Sequence, residues 1–186
     1  MAAEPLRKRF TCLDYHAMAD AGLFTVDDRV ELIEGEIYEM TPIGNRHAGC
    51  VNRFTTFFTE GLAGRVIVSV QNPVHLNDFS EPQPDIAIVR RREDFYSTSH
   101  PTVQDVFLIV EAADASLEYD KKLKLPVYAR NGITEAWLAV LTQRILLVHR
   151  EPSPEGYRQV VVLRPGETVS PLAFSDLVLD VSALLG

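Results

Sequence analysis

Cysteine is nearly missing from this sequence: Cys12 and Cys50 are the only two. Two thiols without paired spacing build neither a disulfide framework nor a cysteine zinc site, and they point to a reducing cytoplasm. Basic charge is in deficit. Lys and Arg number 18 against 26 Asp and Glu, for a net charge of −8. A chain of that sign does not coat nucleic acid non-specifically, because such binding rests on many Lys/Arg–phosphate contacts. A local basic patch remains compatible with it. No apolar run approaches the roughly 20 residues of a membrane span. The basic start MAAEPLRKRF has no apolar stretch behind it, so it does not read as a secretory signal. Internal repeats, low-complexity tracts and long linkers are absent as well. So are the GxGxxG, P-loop, CxxC, HExxH and GxSxG motifs, and with them the simplest signatures of familiar cofactor and hydrolase sites.

What is present suits a globular chain. It has 186 residues, 46% of them apolar and 24% charged. That length fits one domain, residues 1–186 with a core of about 10–182. Residues 11–21 read as a helix capped by Thr11 and ended by Gly22. RVELIEGEIYEM reads as a hairpin turning near Gly35, with Glu31, Glu34, Glu36 and Glu39 as its solvated face. Asn45 is a candidate cap for a helix to about Leu62, whose Val51, Phe54, Phe58 and Leu62 form a core-facing stripe. His47 falls in its first turn, where a lone histidine is usually structural or exposed. Strands follow at RVIVSV, briefly at 74–76, and at QPDIAIVRR. Residues 90–101 are a polar excursion. The apolar run 106–110 is expected to be a central strand buried on both faces. Residues 112–116 turn into a helix ending at Asn131-Gly132, in which Pro126 marks a kink or a late start. ITEAWLAVL and RILLVHR are strands joined by Thr142-Gln143, and 157–163 is another. The tail beyond Pro165-Gly166 carries Leu177, Leu179 and Leu184. The order predicts an α/β (α+β) fold: a mixed sheet flanked by helices, with an N-terminal helix and hairpin and additional C-terminal strands.

Three residues stand out chemically. Asp85 heads one strand and Glu111 ends another. If those strands are neighbours, both carboxylates come within the roughly 2 Å ligand distance of one Mg²⁺, and hard oxygen donors suit Mg²⁺ or Mn²⁺ better than zinc. A metal there polarises a phosphoryl oxygen and lowers the pKa of a bound water. A lysine beside it neutralises developing charge or helps activate water. Lys121, Lys124 and Tyr128 fall at i, i+3 and i+7 on one helix face, and Lys122 on another. The spacing leaves two readings open: a site lysine, or a solvated lysine-rich first turn. Asp120 is a candidate helix cap, and Asp114 a turn residue or outer-shell group.

ELIEGEIYEM, His47 after a Pro-containing loop, QPDIAIV, a strand ending in Glu, and YDKKLKLPVYARNGITEAWLAV together resemble the Uma2 family, long carried as a domain of unknown function and abundant in cyanobacteria and some other bacteria. The resemblance runs from about Phe10 to the C-terminus. It implies a PD-(D/E)XK restriction-endonuclease-like fold with Asp85 as the motif's Asp and Glu111 as its second acid. The motif's lysine normally stands two positions after that acid, where this sequence has Ala113; the likeness instead places it on the following helix, at Lys124. EAADAS stands where many relatives have Glu followed by a Ser-Pro turn. Glu31 and His47 match family positions without an assigned role.

The expectation is therefore a Mg²⁺- or Mn²⁺-dependent endonuclease acting on nucleic acid, DNA first, with Asp85 and Glu111 as ligands and Lys124 as the charge-stabilising group. The alternative is a non-catalytic binding or accessory module, transposon-linked or regulatory, which the acidic charge favours. A hydrolase of another substrate class is weaker, since no nucleophile–base pair is visible. Cutting a duplex needs two sites. That makes a homodimer a natural arrangement, for which the hairpin carrying Trp137 offers apolar surface.

Overall fold

The computed structural model describes residues 7–25 and 27–186. The first six residues of the basic N-terminal stretch therefore lie outside the described residues. Helix α1 spans Cys12–Asp20. Thr11 and Asp14 cap it reciprocally: Asp14 N donates to Thr11 Oγ1 (3.1 Å) and Thr11 N to Asp14 Oδ2 (2.9 Å). Strands β1 (Val30–Ile33) and β2 (Glu36–Glu39) form the expected hairpin. Glu34 and Gly35 both take positive φ, 52° and 84°, which is the turn geometry that suits a two-residue hairpin loop.

Helix α2 runs over Asn45–Gly61, and its cap is Gly44, not Asn45. Asn45 already sits inside the first turn, so its side chain makes no capping bond. Strands β3 (Val66–Val70), β4 (Ile86–Arg90) and β5 (Val106–Ala113) follow. The short strand expected at 74–76 does not form. Asn72-Pro73 and Asn77-Asp78 break the run, leaving only isolated bridges, His75 to Thr102 and Asn77 to Ser80. The excursion after β4 is mostly exposed, as its polarity implies.

Strand β5 continues to Ala113, so Glu111 lies within it and the turn begins later than the sequence indicates. The chain then forms α3 (Leu117–Tyr119), one wide π turn (Asp120–Lys124) and α4 (Leu125–Arg130). Leu125 N reaches back five residues to Asp120 O. Pro126 explains the irregularity. It has no N–H for a carbonyl four residues back and its ring crowds that carbonyl, so the helix widens just before it.

Strands β6 (Glu135–Val140), β7 (Ile145–Ser153) and β8 (Gly156–Leu163) complete the main sheet. A two-stranded ladder of β9 (Thr168–Val169) and β10 (Leu179–Asp180) leads into α5 (Val181–Leu185). The six-stranded order is β3-β4-β5-β6-β7-β8. Only β5 and β6 run parallel; the other pairs are antiparallel. A parallel pair needs a crossover, and the α3–α4 segment supplies it.

Strand alternation sorts the core into two layers. Ile86, Ile88, Leu108, Val110 and Trp137 face α2 and α5, meeting Phe54, Phe58 and Leu184. Ala87, Val89, Ile109, Ala113 and Leu138 face α4 and the hairpin, meeting Leu125, Tyr128 and Ile33. β5 is apolar on both faces because both are covered. Trp137 is wholly buried against Phe54 and Phe58, so the hairpin carrying it offers no Trp137 surface to a second copy. Sequence alone does not say which side of that strand is inward. Among the described residues no helix is long and apolar enough to cross a membrane.

Candidate active site

Asp85 and Glu111 meet because β4 and β5 are hydrogen-bonded neighbours. Asp85 stands just before β4. Its Oδ2 accepts from Ala112 N (2.9 Å) and its Oδ1 from Gln71 Nε2 (3.3 Å). Glu111 Oε2 accepts from Asp85 N (3.3 Å). The Asp85 carboxylate is thus tied to the residue after Glu111, and the Glu111 carboxylate to the backbone of Asp85.

Lys124 reaches them from the face that α4 and the hairpin cover. Its Nζ lies 2.8 Å from Glu111 Oε1 and 3.5 Å from Glu31 Oε2, and donates to Gln83 O (3.2 Å). Tyr128 donates its hydroxyl to Glu111 Oε1 (2.5 Å). Lys124 and Tyr128 share a face because α4 is regular beyond the π turn. Lys121 does not join them: the wide turn shifts the register, and Lys121 is exposed. Lys122 is exposed too, paired with Glu118.

Glu31 departs from the solvated face expected of it. It is 1% exposed, its Oε2 accepts from Gln83 N (2.8 Å), and its Oε1 accepts from the Tyr119 hydroxyl (3.0 Å). The hairpin lies over the end of the sheet, bridged at Leu32 to Glu81, so β1 is covered on both sides. Asp120 is also not the N-cap expected of it. It lies inside the π turn, buried, accepting from Ser116 Oγ (2.6 Å). Asp114 is part of the cavity wall, 3.5 Å from Arg46.

His47 arrives from α2 on the opposite face. Its Nε2 lies 2.9 Å from Asp85 Oδ2. That carboxylate is an acceptor, so Nε2 carries the proton; Nδ1 is buried and has no partner among the described residues. The groups open into a cavity of about 320 Å³ walled by Arg29, Thr41, His47, Gln83, Asp85 and Lys124 among others.

Charge here is out of balance. Burial pulls Lys124 down, but Glu111, Glu31, Asp120 and Asp85 outweigh it and hold the ammonium well above its ordinary value. Burial pushes Glu111 up to about 8, Asp85 and Asp120 adding to the push against the pull of Lys124. Burial likewise raises Asp120. Asp85 goes the other way: burial raises it, but the His47 bond and charge, with Lys124, bring it below the ordinary value. The Asp85 bond in turn raises His47 against the effect of burial.

A mixed six-stranded sheet with helices on both faces is the architecture of a restriction-endonuclease-like fold. A crystal structure described as a putative nuclease belonging to DUF820, from Anabaena variabilis ATCC 29413, shares it. The TM-score is 0.72 at 16% identity, over 89% of this chain and 94% of that one. The chain belongs to the Uma2 family: the family profile, described as "Putative restriction endonuclease", matches residues 13–182. No curated protein matches the sequence.

Proposed function

We propose that this chain is a metal-dependent nuclease of the PD-(D/E)XK type that hydrolyses phosphodiester bonds. Asp85 and Glu111 hold Mg²⁺ or Mn²⁺, and Lys124 stabilises charge at the reacting phosphate. The observation that carries the reading is the convergence of two buried acids and a buried lysine on one cavity, with Lys124 Nζ 2.8 Å from Glu111 Oε1.

The donors fit such a cation. Four buried acids, Glu31, Asp85, Glu111 and Asp120, surround one lysine, and a divalent ion relieves that surplus. Neither Asp85 nor Glu111 belongs to a triple of clustered His, Cys, Asp or Glu donors among the described residues. Mg²⁺ suits such a spare site, since it commonly takes one or two carboxylates and completes its shell with waters and substrate phosphate. When bound, the cation supplies Lewis-acid polarisation and a more acidic water.

The chain's own groups do the rest. Glu111, Glu31 and Gln83 O hold Lys124 Nζ at the cavity wall, ready to turn a donor toward a phosphate oxygen. Its raised pKa keeps it protonated, which favours charge stabilisation over water activation. His47 fixes the orientation of Asp85 through Nε2–H. Arg29 at the rim adds a cation where a phosphate backbone enters.

The test is a Mg²⁺ and Mn²⁺ titration by calorimetry on the wild type and on Asp85→Ala, with and without oligonucleotide, followed by cleavage assays on DNA and RNA. Binding lost in the variant together with metal-dependent cleavage supports the reading. Binding without cleavage of any nucleic acid favours the accessory-module alternative. No binding even with oligonucleotide present sinks the metal site.

A further inference from the structure

Three of the five histidines stand around a single buried carboxylate outside the cavity described above. Helix α1 presents Cys12 and His16 one turn apart, on one face. The turn between β3 and β4 presents His75 and Glu81, closed by Val74 N to Pro82 O (2.9 Å) and Leu76 N to Ser80 O (3.0 Å). The end of the polar excursion brings His100, and His75 N donates to Pro101 O (2.9 Å) to hold that segment in place.

Glu81 is the hub. Its side chain is 3% exposed, with Oε1 2.7 Å from His16 Nε2 and Oε2 3.4 Å from His75 Nδ1. Among the described residues no lysine or arginine pairs with it. The buried Glu111 has Lys124 and the buried Glu135 has Arg150; Glu81 has only imidazoles. A buried carboxylate is costly unless it is paired, and imidazoles on both of its oxygens are the donor set that a metal ion uses.

The donor atoms of His16, Glu81 and His100 lie within 4.8 Å of one another, as do those of Cys12, His75 and Glu81. A cavity of about 470 Å³ opens against His16, His75, Glu81 and His100, and Cys12 is not among its lining residues. Cys12 Sγ instead donates to Asn77 O (3.3 Å).

We propose that His16, Glu81 and His100 form a second metal site, taking a zinc-class divalent ion whose open coordination position faces this cavity. Two imidazoles and one carboxylate suit Zn²⁺ and not Mg²⁺, and three protein ligands with a free fourth position are the pattern of an open zinc site. Both rings are exposed enough to rotate the short distance needed for closure. His75, on the other oxygen of Glu81, is the positioning residue. The ion joins three segments distant in the chain and holds α1 against the body of the fold.

The test is a Zn²⁺ titration, by competition with a chromophoric chelator, on tag-free protein carrying Asp85→Ala, so that the nuclease site does not contribute. The expected result is one Zn²⁺ per chain. His16→Ala and His100→Ala should each weaken it by more than the roughly 10- to 100-fold that a lost outer-shell contact costs. Cys12→Ser should leave it unchanged. Circular dichroism checks that the variants fold. No Zn²⁺ binding, or binding that survives both histidine substitutions, overturns the proposal. So does a sulfur-to-metal charge-transfer band with Co²⁺ that disappears in Cys12→Ser, because it moves the ion to Cys12, His75 and Glu81.

Discussion

Glu111 and Glu135 stand on neighbouring strands, β5 and β6, and both are buried, but their surroundings differ. Glu135 Oε1 accepts from Arg150 Nε (2.8 Å) and Trp137 Nε1 (2.9 Å), and its Oε2 from Leu172 N (2.7 Å). One cation answers one anion, and Glu135 lines neither cavity described above. Glu111 shares a single lysine with Glu31, has Asp85 and Asp120 nearby, and faces a cavity. A balanced pair serves the fold. A surplus of buried acids beside a cavity is poised for a cation to take the place of their protons, and perturbed groups gather at such sites.

The strongest way to break this contrast is at Lys124. Lys124→Ala should abolish cleavage while Mg²⁺ binding persists, since the removed cation competes with the metal for the same acids; cleavage at the wild-type rate would end its assigned role. Next comes the structural member. Glu135→Ala leaves Arg150 Nε, Trp137 Nε1 and Leu172 N without their acceptor and should cost about 3–5 kcal/mol in denaturant unfolding. Glu111→Gln should stay within about 1 kcal/mol of the wild type in that assay while losing cleavage. Equal losses of stability for the two substitutions would erase the distinction drawn here.

Smaller effects sharpen it. His47→Ala, which frees the Asp85 carboxylate, should weaken Mg²⁺ binding by roughly 10- to 100-fold, read by calorimetry. The metal-free protein should also respond to pH. The folded state keeps a proton on Glu111 that the unfolded chain releases, because burial lifts its pKa from 4.5 to about 8. The stability this proton confers is complete below 4.5 and is lost as the pH rises through about 8. Urea midpoints measured in chelator should fall across that window for the wild type, and less for Glu111→Gln. The smallest effect belongs to Glu36, exposed on the same hairpin as Glu31. Glu36→Ala should leave cleavage unchanged, whereas Glu31→Gln should reduce it.

Much of this was legible in the chain. Thr11 announced α1, the spacing of Phe54 and Phe58 announced α2, and the unbroken run into Val110 announced a central strand. Asp85 and Glu111 were visible as acids attached to apolar runs, and Lys124 was one of two lysines on a plausible face. Glu31 was hidden among four hairpin glutamates that differ only in what lies above them. Lys121 and Lys124 were indistinguishable until the π turn before Pro126 separated them. Gln83 was invisible, since it contributes backbone atoms to Lys124 and Glu31. The cluster at Glu81 gave no motif at all, its donors being spread from Cys12 to His100.

By itself the sequence determined most of the element types, the two-faced burial of β5, and the acids at the start of β4 and within β5. These follow from local periodicity and composition, which a linear pattern records. Only the tertiary structure decided which charges are buried together. Burial and charge pairing depend on which distant segments share a volume: Glu31 with Lys124 across the hairpin, His47 with Asp85 across the sheet, and His16 on α1 with Glu81 and His100 on two separate loops. The energy of a buried charge is set by those neighbours, and not by its own place in the chain.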